Sequence, residues 1–139
     1  MLWPSMSPQT LMPRLYARRF GFHIVSSTPR DNASVFDPAG NIAAQTKTEG
    51  PVTEQIDLSY AIVHFQPAVR NGQALAERYG SRVGFRYSTT EDTGIFWSND
   101  PTKPIGVMLQ ECGILTESEL RNASRAKRQK VLSGRNNPG

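Results

Sequence analysis

Short apolar segments separated by turn-forming residues dominate the first half of this chain. Met1 to Met6 (MLWPSM) predicts a strand end running into a Pro/Ser loop. Within Gln9 to Phe20 a helix is expected from about Arg14, with Pro13 near its first turn, where a missing N–H costs little. Phe22 to Ser26 (FHIVS) reads as a short buried strand and Ser27 to Asn32 as a turn. The next stretch, ASVFDPAGNIAAQTKTEGPVTEQIDL from Ala33 to Leu58, is the most informative. Its arms, Ser34 to Asp37 and Asn41 to Gln45, flank Asp37-Pro38-Ala39-Gly40. An Asp at the first turn position hydrogen-bonds its own backbone, Pro38 presets φ, and Gly40 supplies a permissive φ before the return strand. That is a three-residue hairpin, a type I turn followed by a glycine bulge. After a polar loop at Thr46 to Gly50, Val52 to Leu58 alternates apolar and polar residues as a third strand should.

Pro67 to Tyr79 carries Ala68, Val69, Leu75, Ala76 and Tyr79 near one face and predicts a helix that opens at proline. Gly72 weakens it by about 1 kcal/mol, and Gly80 is a natural stop. Val83 to Tyr87 and Gly94 to Ser98 are extended, separated by the polar run STTED, and Asn99-Asp100-Pro101 is a turn. Pro104 to Glu111 predicts a short helix ending by Gly113. Thr116 with Glu119 forms a capping box that opens a last helix, whose apolar face is Leu120, Ala123 and Val131.

Composition narrows the picture. With 139 residues, one domain is the natural expectation. Hydrophobic residues make up only 37%, and 10 prolines and 11 glycines call for many loops. No apolar run is long enough to span a membrane, and the first residues lack the basic start and apolar core of a secretory signal, so a cytoplasmic location is expected. The net charge of +4 is concentrated in RNASRAKRQKVLSGR, residues 121–135, which contains no acidic residue. This basic stretch is expected to be a solvated terminal helix. It has no aromatic residue for stacking on bases, so nucleic acid is not an expected partner.

Little in the sequence points to catalysis. Cys112 is the single cysteine, so neither an internal disulfide nor a cysteine metal cluster is expected. Glu111 beside it disfavours a thiolate, and a structural, half-buried role follows. His23 between Phe22 and Ile24, and His64 within AIVHFQP, are too far apart to suggest ligation and are expected to be packed side chains. Glu54 and Asp57, three apart on a strand, should face opposite sides. The adjacent acids Glu91 and Asp92 read as a solvated turn. Neither a G-x-S-x-G elbow, a G-x-G-x-x-G motif nor a P-loop is present. No cofactor and no metal is expected.

The order of these segments resembles the later part of the carbon–nitrogen hydrolase (nitrilase-like) family over about residues 1–100. LWPS (Leu2 to Ser5) is similar to the strand end and loop that follow the nucleophile strand. YARRFGFHIVSS (Tyr16 to Ser27) resembles the next helix and strand, SVFDPAGNIAA (Ser34 to Ala44) the hairpin, and VTEQIDL (Val52 to Leu58) the strand that closes the sheet. RYSTTEDTGIFWSNDP (Arg86 to Pro101) looks like a C-terminal extension of some bacterial members.

The resemblance implies half of an α-β-β-α sandwich. The expected class is α/β with α+β-type layers, a mixed, mainly antiparallel sheet, flanking helices and a helical C-terminal tail. Residues 1–100 would form the hydrolase portion, 101–135 a helical extension and 136–139 a disordered end. The family hydrolyses nitriles, amides or carbamoyl groups with a Glu–Lys–Cys triad, in which the thiolate attacks, the Glu moves the proton and the Lys steadies charge. None of the three has a matching position here. The implied activity is therefore that of a fragment, inactive alone, of an enzyme with a small amide or nitrile substrate. Ser5 and Ser27 match regions at the edge of the substrate pocket. An uncovered sheet edge implies a homo-oligomer or a missing N-terminal half as partner. A non-catalytic assembly module of the same fold, and a nucleic-acid-associated protein acting through residues 121–135, are the alternatives.

Overall fold

The computed structural model describes residues 1–5, 9–29 and 32–135. The described chain is a mixed α/β structure with two small sheets and four α-helices. The first sheet has the order β1-β2-β3-β4, from strands Leu2–Pro4, Ile24–Ser27, Ser34–Phe36 and Ile42–Gln45. β1 runs parallel to β2, with Trp3 opposite Ser26, and the helix α1 (Leu11–Phe20) makes the crossover between them. The other two pairings are antiparallel. The second sheet is antiparallel throughout, in the order β5-β7-β6, from Tyr60–His64, Thr93–Ser98 and Val83–Ser88. α2 (Gln73–Tyr79) lies between β5 and β6, and α3 (Ile105–Glu111) and α4 (Glu117–Arg135) complete the chain.

The hairpin forms as its residues dictate. The Asp37 carboxylate accepts the backbone N–H groups of Ala39 and Asn41, each at 2.9 Å, and the Gly40 N–H donates to the Asp37 carbonyl at 2.8 Å. Gly40 takes φ +85°, which only a residue without Cβ adopts cheaply, and the β3–β4 register shifts further along the arms, between Val35 and Phe36. Arg14 on α1 donates from Nε to the Gly40 carbonyl at 2.8 Å and fixes the tip against the helix.

The alternating segment Val52 to Leu58 is not a strand and closes no sheet. β4 is the edge, and residues 51–57 run as irregular backbone toward β5. Ile56 and Leu58 turn outward, Leu58 being 77% exposed, while Val52 is half-buried and the half-buried Glu54 reaches Arg86 on β6 at 2.7 Å. A half-buried ion pair between residues 32 apart thus overrides the local alternation. The extended strand lies just after it, at Tyr60–His64, a stretch with no period to mark it.

The helix expected from Pro67 starts only at Gln73. Asn71 and Gly72 take φ of +57° and +94°, which breaks the first turn into a 3-10 segment over Arg70–Gly72. α1 begins at Leu11 rather than Arg14, and β2 begins at Ile24 rather than Phe22. The capping box is present: the Thr116 hydroxyl accepts the Glu119 N–H at 3.3 Å and the Glu119 carboxylate accepts the Thr116 N–H at 2.7 Å. The stretch 136–139, expected to be disordered, lies outside the described residues.

Apolar burial is divided between two clusters. The larger joins Val63, Leu75 and Phe96 to Ile105, Met108 and Leu109, so α3 is part of the main core. The smaller consists of Ala17, Ile24 and Phe36, with Trp3 and Phe22 packed on it. α1 buries only Pro13 and Ala17; Leu11 and Phe20 are 63% and 54% exposed, and Leu2 on the edge strand is 78% exposed. Rings of Trp3, Tyr16, Phe20 and Phe22 follow one another at 5.3, 5.6 and 5.8 Å along that face. Among the described residues, no helix is long and apolar enough to cross a membrane.

Candidate functional site

The parallel pair β1 and β2 ends at one place. The Ser5 N–H donates to the Ser27 carbonyl at 2.9 Å, so the two chain segments leave the sheet side by side. Ser5, Ser27 and Thr28, with Pro4 and Pro29, line a shallow pocket of about 350 Å³ there. Carboxyl ends of parallel strands joined through a helix are where open α/β sheets hold ligands, because loops diverge there. The two serines singled out from the sequence are thus brought together. Their hydroxyls are hydrogen-bonding groups beside proline-rich walls, suited to orienting a polar ligand. Among the described residues that line it there is no thiol, carboxylate or amine to drive a reaction.

A second cleft, of about 540 Å³, opens between the two sheets and is lined by His23, Glu54, Asp57, Arg86, Trp97 and Asn99 among others. Its charged groups are organised around Asp37, which is fully buried. Arg86 reaches Asp37 with Nη1 at 3.7 Å and Glu54 with Nη2 at 2.7 Å. Glu54 and Asp57, expected on opposite faces of a strand, line the same cleft because the backbone carrying them is irregular.

His23 precedes β2 and is buried, with the Tyr60 ring edge-on to it at 5.2 Å. Its carbonyl accepts the N-terminal ammonium at 2.8 Å, and the Tyr60 hydroxyl donates to the Gly21 carbonyl at 2.5 Å. Burial pushes the His23 imidazole below its ordinary 6.5; Asp37 opposes this, and Arg86 and the N-terminus reinforce it. Burial likewise raises the Tyr60 phenol above 10.0. The lowered histidine has a definite sign. The unfolded chain takes up the proton more readily, so the stability contributed by neutral His23 is present above pH 6.5 and is lost as pH falls through the folded value. Thermal melts at successive pH values should therefore show a decline below about pH 6.5 that is shallower in His23→Gln. Equal slopes in the two proteins would contradict this.

The second cleft is internally neutralised: its arginine is held by two carboxylates, and among the described residues that line it there is no Ser, Thr, Cys or Lys to act as a nucleophile. Cys112 lies elsewhere, half-buried at the end of α3 and packed on the larger core. Among the described residues no group of three or more His, Cys, Asp or Glu is placed to hold a metal ion. No protein-family model matches the chain, nor does any curated protein or solved structure.

A third feature was not legible in the sequence. A groove of about 830 Å³ runs between α1 and α4 over the hairpin tip and β5. Arg18 and Arg19 line it from α1, and Arg121, Arg125 and Arg128 from α4. The two sets are about a hundred positions apart, and only the fold brings them together.

Proposed function

We propose that this chain is the non-nucleophilic part of a nitrilase-like carbon–nitrogen hydrolase. In that reading it supplies half of an α-β-β-α sandwich and one edge of a pocket for a small amide or nitrile. The supporting observation is the position of Ser5 and Ser27 at the joined carboxyl ends of β1 and β2, the two serines that the resemblance links to the pocket edge. The bonded Asp37 turn, following β2 in the order the resemblance requires, agrees with it. The serines would orient the substrate, and the attacking thiolate, its proton carrier and its charge-stabilising lysine would come from a separate segment.

Ammonia release from a panel of small amides and nitriles tests this directly. The 139-residue chain should show no turnover above buffer. Thiol-dependent turnover that survives substitution of Ser5 and Ser27 would overturn the proposal.

An assembly module of the same fold is the second reading. It is favoured by the exposed apolar face of α1 beside the open β1 edge, where Leu2, Leu11 and Phe20 are each more than half exposed. Light scattering separates a self-associating chain from a stable monomer, and the latter result counts against this reading.

A further inference from the structure

The groove between α1 and α4 carries an excess of positive charge that the protein does not itself neutralise. Of its five arginines, Arg18 is paired with Glu91 at 2.6 Å and Arg121 with Glu117. Arg19, Arg125 and Arg128 have no carboxylate partner among the described residues; Arg19 lies over the Phe20 ring at 5.6 Å. On α4 the three arginines fall at i, i+4 and i+7, one stripe along about 10 Å of helix. Like charges brought together from two separate helices are mutually repulsive, and an anion between them removes that cost. Planar guanidinium forks suit oxyanions that accept two hydrogen bonds at once.

We propose that this groove binds a small ligand carrying a chain of phosphate groups, an inorganic oligophosphate or the phosphates of a nucleotide. A small ligand fits better than a nucleic acid strand for two reasons. The volume is that of a small-molecule site. In addition, the carboxylates Glu91 and Glu117 sit among the arginines and would repel a continuous phosphate backbone, while among the described residues no Phe, Tyr or Trp lines the groove to stack on bases and the His64 imidazole there is 3.6 Å from the Glu117 carboxylate. The site is separate from the serine pocket, so its fate does not depend on the hydrolase reading.

Calorimetric titration of the full chain with sodium tripolyphosphate, ATP, citrate and a single-stranded oligodeoxythymidylate tests it. Tripolyphosphate should bind saturably at one site per chain. Arg19→Glu and Arg125→Glu should each weaken it by roughly tenfold or more, the worth of a charged hydrogen bond. Lys127→Glu, on the same helix but outside the groove, should change it by much less. ATP binding tighter than tripolyphosphate identifies a nucleotide as the ligand, and equal binding identifies the phosphate chain alone; both support the proposal. All variants alter exposed side chains, and matching circular dichroism confirms that they fold. The proposal is overturned by an absence of saturable binding, by equal affinity for citrate, by tighter binding of the oligonucleotide, or by loss in the α4 variant with none in Arg19→Glu.

Discussion

Replacing Asp37 with alanine is expected to cost about 3–5 kcal/mol of folding stability, measured by urea denaturation. The side chain is fully buried and holds three groups at once: the N–H of Ala39, the N–H of Asn41 and the Asn41 side-chain amide at 3.3 Å. Alanine leaves those donors without an acceptor in a place that water does not reach readily, and it leaves Arg86 with Glu54 alone. Asp37→Asn keeps an acceptor oxygen of the same shape, so it should cost only about 1–2 kcal/mol. If the alanine variant is too unstable to melt cooperatively, which a domain with 5–15 kcal/mol in hand permits, the asparagine variant still gives the sign. A loss below about 1 kcal/mol in Asp37→Ala would show that the turn stands without its carboxylate.

Gly72→Ala should destabilise by about 3 kcal/mol, for two reasons that add. The backbone at Gly72 has φ +94°, a conformation in which a Cβ is strained. The space a Cβ would occupy is filled by the Phe85 ring, which is itself stacked on Phe96 at 5.4 Å in the main core. The ring cannot retreat without disturbing that stack. Shortening it should recover part of the loss, so Gly72→Ala with Phe85→Leu is expected to be less unstable than the two separate losses combined. Simple additivity of the two would show that the ring is not the obstacle.

The same glycine explains one limit of reading the sequence alone. From Pro67 onward the apolar spacing favours a helix, and nothing local says that an aromatic ring from β6 will demand a glycine with positive φ at position 72. Val52 to Leu58 is a second instance, where strand-like alternation gives way because Glu54 is drawn to an arginine far along the chain. By contrast, the Asp37 turn and the Thr116–Glu119 cap were legible because each is decided by hydrogen bonds within four residues. At the pockets, Ser5 and Ser27 could be picked out from the segments that carry them. The arginine groove could not, since its two halves share no sequence neighbourhood.

Asp37 also bears on how the molecule comes apart. Its turn belongs to the first sheet, while the guanidinium facing it belongs to β6 of the second. The Tyr60 hydroxyl on β5 is likewise bonded to the Gly21 carbonyl just after α1. A species with only one sheet formed would leave the buried carboxylate without Arg86 and the Gly21 carbonyl without its donor. Such half-folded forms are penalised relative to both the native and the fully unfolded chain, so the two sheets should melt as a single cooperative unit despite having separate apolar cores.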